Sequence, residues 1–137
     1  MRRNLLTHTL AALLLCLVAT AAIARPVHHH ALNMSWLADM RDDKDGTPRG
    51  NLVLIVNGRH VTIAKSLDEH VTVLDPEQYK EHRVPTSAIA ACSAWWGGAG
   101  DDFYVTRHGD RLRVYRRGVD EQEKRPERYK LVKSVRL

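Results

Sequence analysis

The dipeptide Asn57-Gly58 constrains this chain more than any other feature. It sits between two runs rich in β-branched residues, Asn51 to Val56 and Arg59 to Ala64. A two-residue connection of this composition is a hairpin turn, because both turn positions need positive φ, which asparagine and glycine adopt at low cost. The chain is thereby committed to antiparallel pairing in its first half.

The flanking segments extend that reading. Leu32, Met34, Trp36, Ala38 and Met40 alternate with Ala31, Asn33, Ser35, Leu37 and Asp39, the period of a half-buried strand. Residues 41–48 hold Asp, Gly and Pro in turn roles. Val71 to Leu74 is a further short strand. In Asp75-Pro76-Glu77-Gln78, Asp75 suits an N-cap, Pro76 a first helical residue and Gln78 the reaching-back residue of a capping box. That helix is a turn or two, ended by Val84-Pro85. The Ala-rich segment Ser87 to Trp96 predicts a second short helix with Ile89, Cys92 and Trp96 on one face and Gly97 as its left-handed cap. Phe103 to Arg107 and Arg111 to Arg116 predict a hairpin around His108-Gly109-Asp110. Gly118 to Pro126 is a charged loop, and Tyr129, Leu131, Val135 and Leu137 mark a final strand. The expected class is mainly β, a small α+β fold: an antiparallel sheet or partly closed barrel with one or two short helices.

Residues 1–24 read as a cleavable signal peptide. Arg2-Arg3 is the positive start, Leu10 to Val18 the apolar run, and Ala22-Ile23-Ala24 a small-x-small cleavage site. The apolar run is shorter than the about 20 residues that span a bilayer. Cys16 lacks the small preceding residue of a lipid-attachment site. Cleavage after Ala24 predicts a periplasmic or secreted domain over residues 25–137 with no transmembrane segment. Cys92 is then the only cysteine, so an oxidising compartment offers no intrachain disulfide and the fold rests on its core.

Charge is uneven. Loss of Arg2 and Arg3 takes the formal net charge from +5 to +3, and residues 107–137 alone carry 11 basic and 5 acidic side chains. In an exported protein a basic end points away from nucleic acid and toward lipid phosphate, anionic polysaccharide or an acidic protein. Arg111, Arg113, Lys130 and Arg136 form a candidate basic patch if the last strands pair on one face; a solvated outer face is the alternative.

The stretch from Trp95 to Tyr104 is the candidate site. Its glycines match neither the dinucleotide nor the P-loop spacing, and Asp101-Asp102 would repel phosphate. A glycan site fits better, with Trp95 and Trp96 stacking on sugar rings, Gly98 and Gly100 leaving room, and Asp101 and Tyr104 bonding hydroxyls. The favoured expectation is structural: Trp95, Trp96 and Phe103 plug the core, because large aromatics are usually buried. Asp101 and Asp102 enter a strand as neighbours and so face opposite ways, which argues against a glycosidase carboxylate pair unless the loop is irregular. Cys92 with His108 is the candidate thiol-hydrolase pair, although a mid-helix cysteine gains little from a helix dipole. His28, His29 and His30 form a candidate metal tract that misses the amino-terminal copper spacing by one residue.

In size and expected β form the domain is similar to small exported lysozyme inhibitors, but the Ser-Gly dipeptide and cysteine pair expected there are absent. The expected function is that of a non-enzymatic envelope module binding an unknown protein or glycan, with no cofactor. A small envelope hydrolase is the alternative, and metal binding a lesser one.

Overall fold

Small side chains decide the architecture. In the computed structural model, which describes residues 31–125 and 127–137, Ala90, Cys92 and Ala94 alternate along one strand and turn the same face toward a second sheet. Alanine and cysteine take little room between sheets, so larger residues opposite can fill the layer.

The chain first forms a three-stranded antiparallel sheet from β1 (Met34–Asp42), β2 (Pro48–Val56) and β3 (Arg59–Leu67), in that order. It then forms a five-stranded antiparallel meander from β4 (His70–Val73), β5 (Ala90–Trp96), β6 (Ala99–His108), β7 (Arg111–Asp120) and β8 (Lys130–Arg136). Asn57 and Gly58 have φ of 50° and 77°, as the sequence requires of the β2–β3 turn. A 3-10 turn, Pro76–Gln78, follows the Asp75 cap, where the Gln78 side chain accepts the Asp75 N–H at 2.9 Å. The mainly β expectation therefore holds, but the strands divide into two sheets and do not close into a barrel.

The Ala-rich segment is not a helix. Ala90 to Trp96 is β5, paired with both β4 and β6. Tertiary context overrides the propensity of alanine here: a strand can face the opposite sheet with Cys92 and Ala94 while placing Ala91 in a second cluster behind. Gly97 and Gly98, at φ 63° and 90°, form the two-residue β5–β6 turn and cap no helix.

Each sheet supplies one side of the core. Leu52, Ala64 and Leu67 meet Cys92, Ala94 and Phe103, while Leu54 and Val56 meet Val105, Leu112, Val114 and Val135. The Arg59 guanidinium donates to the Arg136 carbonyl and ties β3 to β8. The outer face of the five-stranded sheet is half covered. The connection between β4 and β5 crosses it, packing Leu74, Tyr79 and Val84 on Ala91, Tyr104, Tyr115 and Tyr129. Tyr104 stacks on Tyr115 at 4.8 Å between ring centroids and meets Tyr129 edge-on at 4.6 Å. Aromatic pairs at these distances add stabilisation beyond buried area alone.

Candidate functional site

Register places the candidate residues. On β6, Asp101, Phe103 and Val105 face the opposite sheet, whereas Gly100, Asp102, Tyr104 and Thr106 face outward. Asp102 lies between Ser93 on β5 and Arg117 on β7, with Thr72 of β4 beyond Ser93. The next outward row is His70, Trp95, Gly100 and Val119. These two rows lie beside the aromatic cluster under the β4–β5 connection.

Asp102 is the hub. Its carboxylate is 1% exposed and accepts from Arg117 Nε at 3.2 Å and Nη2 at 2.8 Å. Its other oxygen faces His82 Nδ1 at 3.1 Å, so the ring presents N–H to the carboxylate at that nitrogen. Tyr129 donates to the His82 carbonyl at 2.8 Å, and the Arg117 guanidinium lies over the Tyr129 ring at 5.0 Å. Burial, then the Asp102 charge, pushes the Tyr129 phenol well above its ordinary range, so it remains a donor at every physiological pH. The network holds the connection against the sheet and sets the wall of the open rows.

Asp101 serves the other face. Arg116 Nε donates to it at 2.8 Å in a two-pronged pair, and the same guanidinium lies over Phe103 at 5.6 Å. Asp101 is 6% exposed, so it is a core ion-pair partner set apart from Trp95. Asp101 and Asp102 do face opposite ways, as their adjacency requires. Glu69 lies beside Asp101. Burial, then the charges of Asp101 and Asp68, push its carboxyl up to about 7. A carboxyl raised in the folded state favours folding below its unfolded pKa and loses that advantage as pH rises through the folded value. Stability is therefore expected to fall between roughly pH 4.5 and 7, and Glu69→Gln to flatten that slope in unfolding scans taken at each pH.

Trp95 and Trp96 do not plug the core: they are 38% and 43% exposed, whereas Phe103 is fully buried. They end β5 beside the turn, and the His70 ring of β4 meets Trp96 edge-on at 5.1 Å. Gly98 lies in that turn against Glu121, and Gly100 packs its backbone on the Ala94 carbonyl. Tyr104 is buried in the aromatic stack. The structure thus gathers Trp95, Trp96 and Gly100 at one end of the sheet and removes Asp101 and Tyr104 from it. His82 and Arg117, which the sequence did not single out, border the same end with Asp102. A signal for them existed: extending the His108-Gly109-Asp110 hairpin pairs Asp102 with Arg117, and a Gly97-Gly98 hairpin pairs Ser93 with Asp102.

Cys92 faces between the sheets, fully buried, and burial followed by the Asp102 charge pushes its thiol far up. His108 is on the outer face, bonded to Thr106 Oγ1 at 3.1 Å, so the two are not brought together. Arg111, Arg113 and Arg136 share the outer face at the far end of β7 and β8. Lys130 does not join them, because an irregularity between Val114 and Tyr115 shifts the register and sets Lys130 opposite Arg116. His28, His29 and His30, and the expected signal peptide, lie outside the described residues. Among the described residues no cluster of three or more His, Cys, Asp or Glu could hold a metal ion, and no helix is long and apolar enough to cross a membrane. No family model matches this chain, and no curated protein or solved structure matches it either.

Proposed function

We propose that this chain is an exported, non-enzymatic binding module of the cell envelope, and that its ligand is a glycan held at the Trp95 end of the five-stranded sheet. The observation that carries the reading is the exposure of two adjacent indoles beside the Gly97-Gly98 turn. Large aromatics are ordinarily buried, and paired exposed ones mark contact surfaces. Trp95 and Trp96 are neighbours on a strand and point to opposite faces, so Trp95 is the outward platform. Gly100 lies directly across from it, where the close approach of its backbone to the Ala94 carbonyl leaves no room for a side chain. Ser93 and Thr72, one row away, offer hydroxyls, and His82 a half-buried ring edge. An apolar ring flanked by hydrogen-bonding groups suits the two sides of a sugar.

Soluble peptidoglycan fragments are the probe. Titrating them into the protein is expected to shift indole emission saturably, and Trp95→Ala to weaken binding by about tenfold or more, the usual effect of a central aromatic anchor. Circular dichroism should show the fold kept in the variant, with some loss of stability, since Trp95 is 38% exposed and the rest of its surface is covered. Unchanged affinity in Trp95→Ala, or no response to any fragment, would sink the glycan reading.

A further inference from the structure

We propose that the outer face of β7 and β8, at the end of the sheet away from Trp95, docks on the surface of an anionic lipid bilayer. Two independent features meet there. The first is unbalanced charge. Among the described residues the arginines at 41, 49, 116 and 117 each pair with a carboxylate, whereas Arg111 and Arg113 have no such partner. Arg136 stands directly opposite Arg111 and pairs with exposed Asp110 at 3.3 Å. Lys130 and Lys133, opposite Arg116 and Val114, belong to the other face of the β8 edge and add no charge to this one.

The second feature is apolar. Leu131 and Val132 are 54% and 43% exposed on the same edge strand. Leu131 pairs with Tyr115 and so shares the outward face of Arg111 and Arg113, one step along the strands. Val132 falls at the register shift, where the strand bends out of the ladder. Lysine and a bulge protect an edge strand from pairing with another strand. That role explains Lys130, Lys133 and the shift, but not two exposed aliphatic side chains beside arginines without partners.

The charge complement chooses the occupant. Basic side chains bordering exposed aliphatics match an interface of anionic headgroups over acyl chains. A soluble polyanion would use the arginines and leave Leu131 and Val132 in water. An apolar protein partner would gain nothing from unpaired arginines. The proposal does not depend on the glycan reading, which concerns the other end of the sheet.

The test is co-sedimentation of the chain, in the form the cell retains, with vesicles of phosphatidylcholine alone and of phosphatidylcholine mixed with phosphatidylglycerol. The expected result is binding to the mixed vesicles only, lost as salt is raised. The double variant Arg111→Glu with Arg113→Glu should bind about tenfold less or weaker still. Leu131→Ser with Val132→Ser should weaken binding while preserving its salt dependence. Circular dichroism on each variant confirms that the fold is kept, and Arg111→Gln with Arg113→Gln serves if charge reversal unfolds the chain. Equal binding to neutral vesicles, or equal binding by the folded arginine variant, would overturn the assignment. Binding to dextran sulfate through these arginines without binding to mixed vesicles would overturn it as well, and would make the face a site for soluble polyanions.

Discussion

Asp102→Ala is expected to lower stability by about 3–5 kcal/mol, the cost of leaving a buried charge without its partner. Arg117 is only 6% exposed and both of its hydrogen bonds to a carboxylate go to Asp102. Removing the carboxylate strands that guanidinium inside the sheet and releases His82 at once. The Tyr129 bond to the His82 carbonyl and the packing of Leu74, Tyr79 and Val84 would then hold the connection. Urea unfolding measures the change as a lower midpoint at constant slope. Replacing both partners with apolar residues, Asp102→Leu with Arg117→Met, should recover most of the loss, because no buried charge is left unpaired. A loss in Asp102→Ala of under about 1 kcal/mol would equal that of a surface pair and would contradict the buried geometry.

The same variant separates fold from site. If the His82 wall frames the Trp95 platform, glycan affinity falls in Asp102→Ala even under conditions where the variant is fully folded. The double apolar variant would recover stability but not affinity, since it restores packing without the polar row. His82→Ala should reproduce the affinity loss with a smaller stability loss, because His82 is partly exposed and Arg117 keeps its carboxylate.

How much of this was legible from the sequence follows from what each signal depends on. Turn chemistry is local, and the Asn57-Gly58 hairpin, the Asp75 cap and the His108-Gly109-Asp110 hairpin fall where their residues predict. The segment Ser87 to Trp96 reads as a helix because alanine favours one when isolated, yet Ala90 to Trp96 is a strand. Its actual role, a thin strand between two layers, depends on residues more than ten positions away. The positive φ of Gly97 was legible, but a helix cap and a hairpin turn both use it, and only the second glycine favours the hairpin. The site shifted by one residue for the same reason. A strand in place of a helix fixes the face of every neighbour, giving Asp102 to the surface of Trp95 and Asp101 to the core. Lys130 left the basic patch because a bulge carries no residue signature here.

Gly100→Ala is expected to cost at least about 3 kcal/mol, the upper end for overpacking, because backbone has to move. A Cβ built at Gly100 falls 1.9 Å from the Ala94 carbonyl oxygen and 2.9 Å from its carbon. No rotamer relieves such a clash, so β5 and β6 must separate where Trp95 faces Gly100. The loss should therefore come with altered Trp95 emission and weaker glycan binding. Gly50→Ala is the matched control. There a Cβ falls 1.9 Å from the Asp39 carbonyl oxygen, between β1 and β2 of the other sheet. The two variants should lose comparable stability, since both force a strand pair apart at one carbonyl. Only Gly100→Ala should disturb the indole, because Gly50 lies in the other sheet. Equal disturbance of Trp95 by both would mean that the indole reports general loosening of the domain. A silent Gly100→Ala would mean that β5 yields at Ala94, and that the close approach of the two strands does not hold the platform in place.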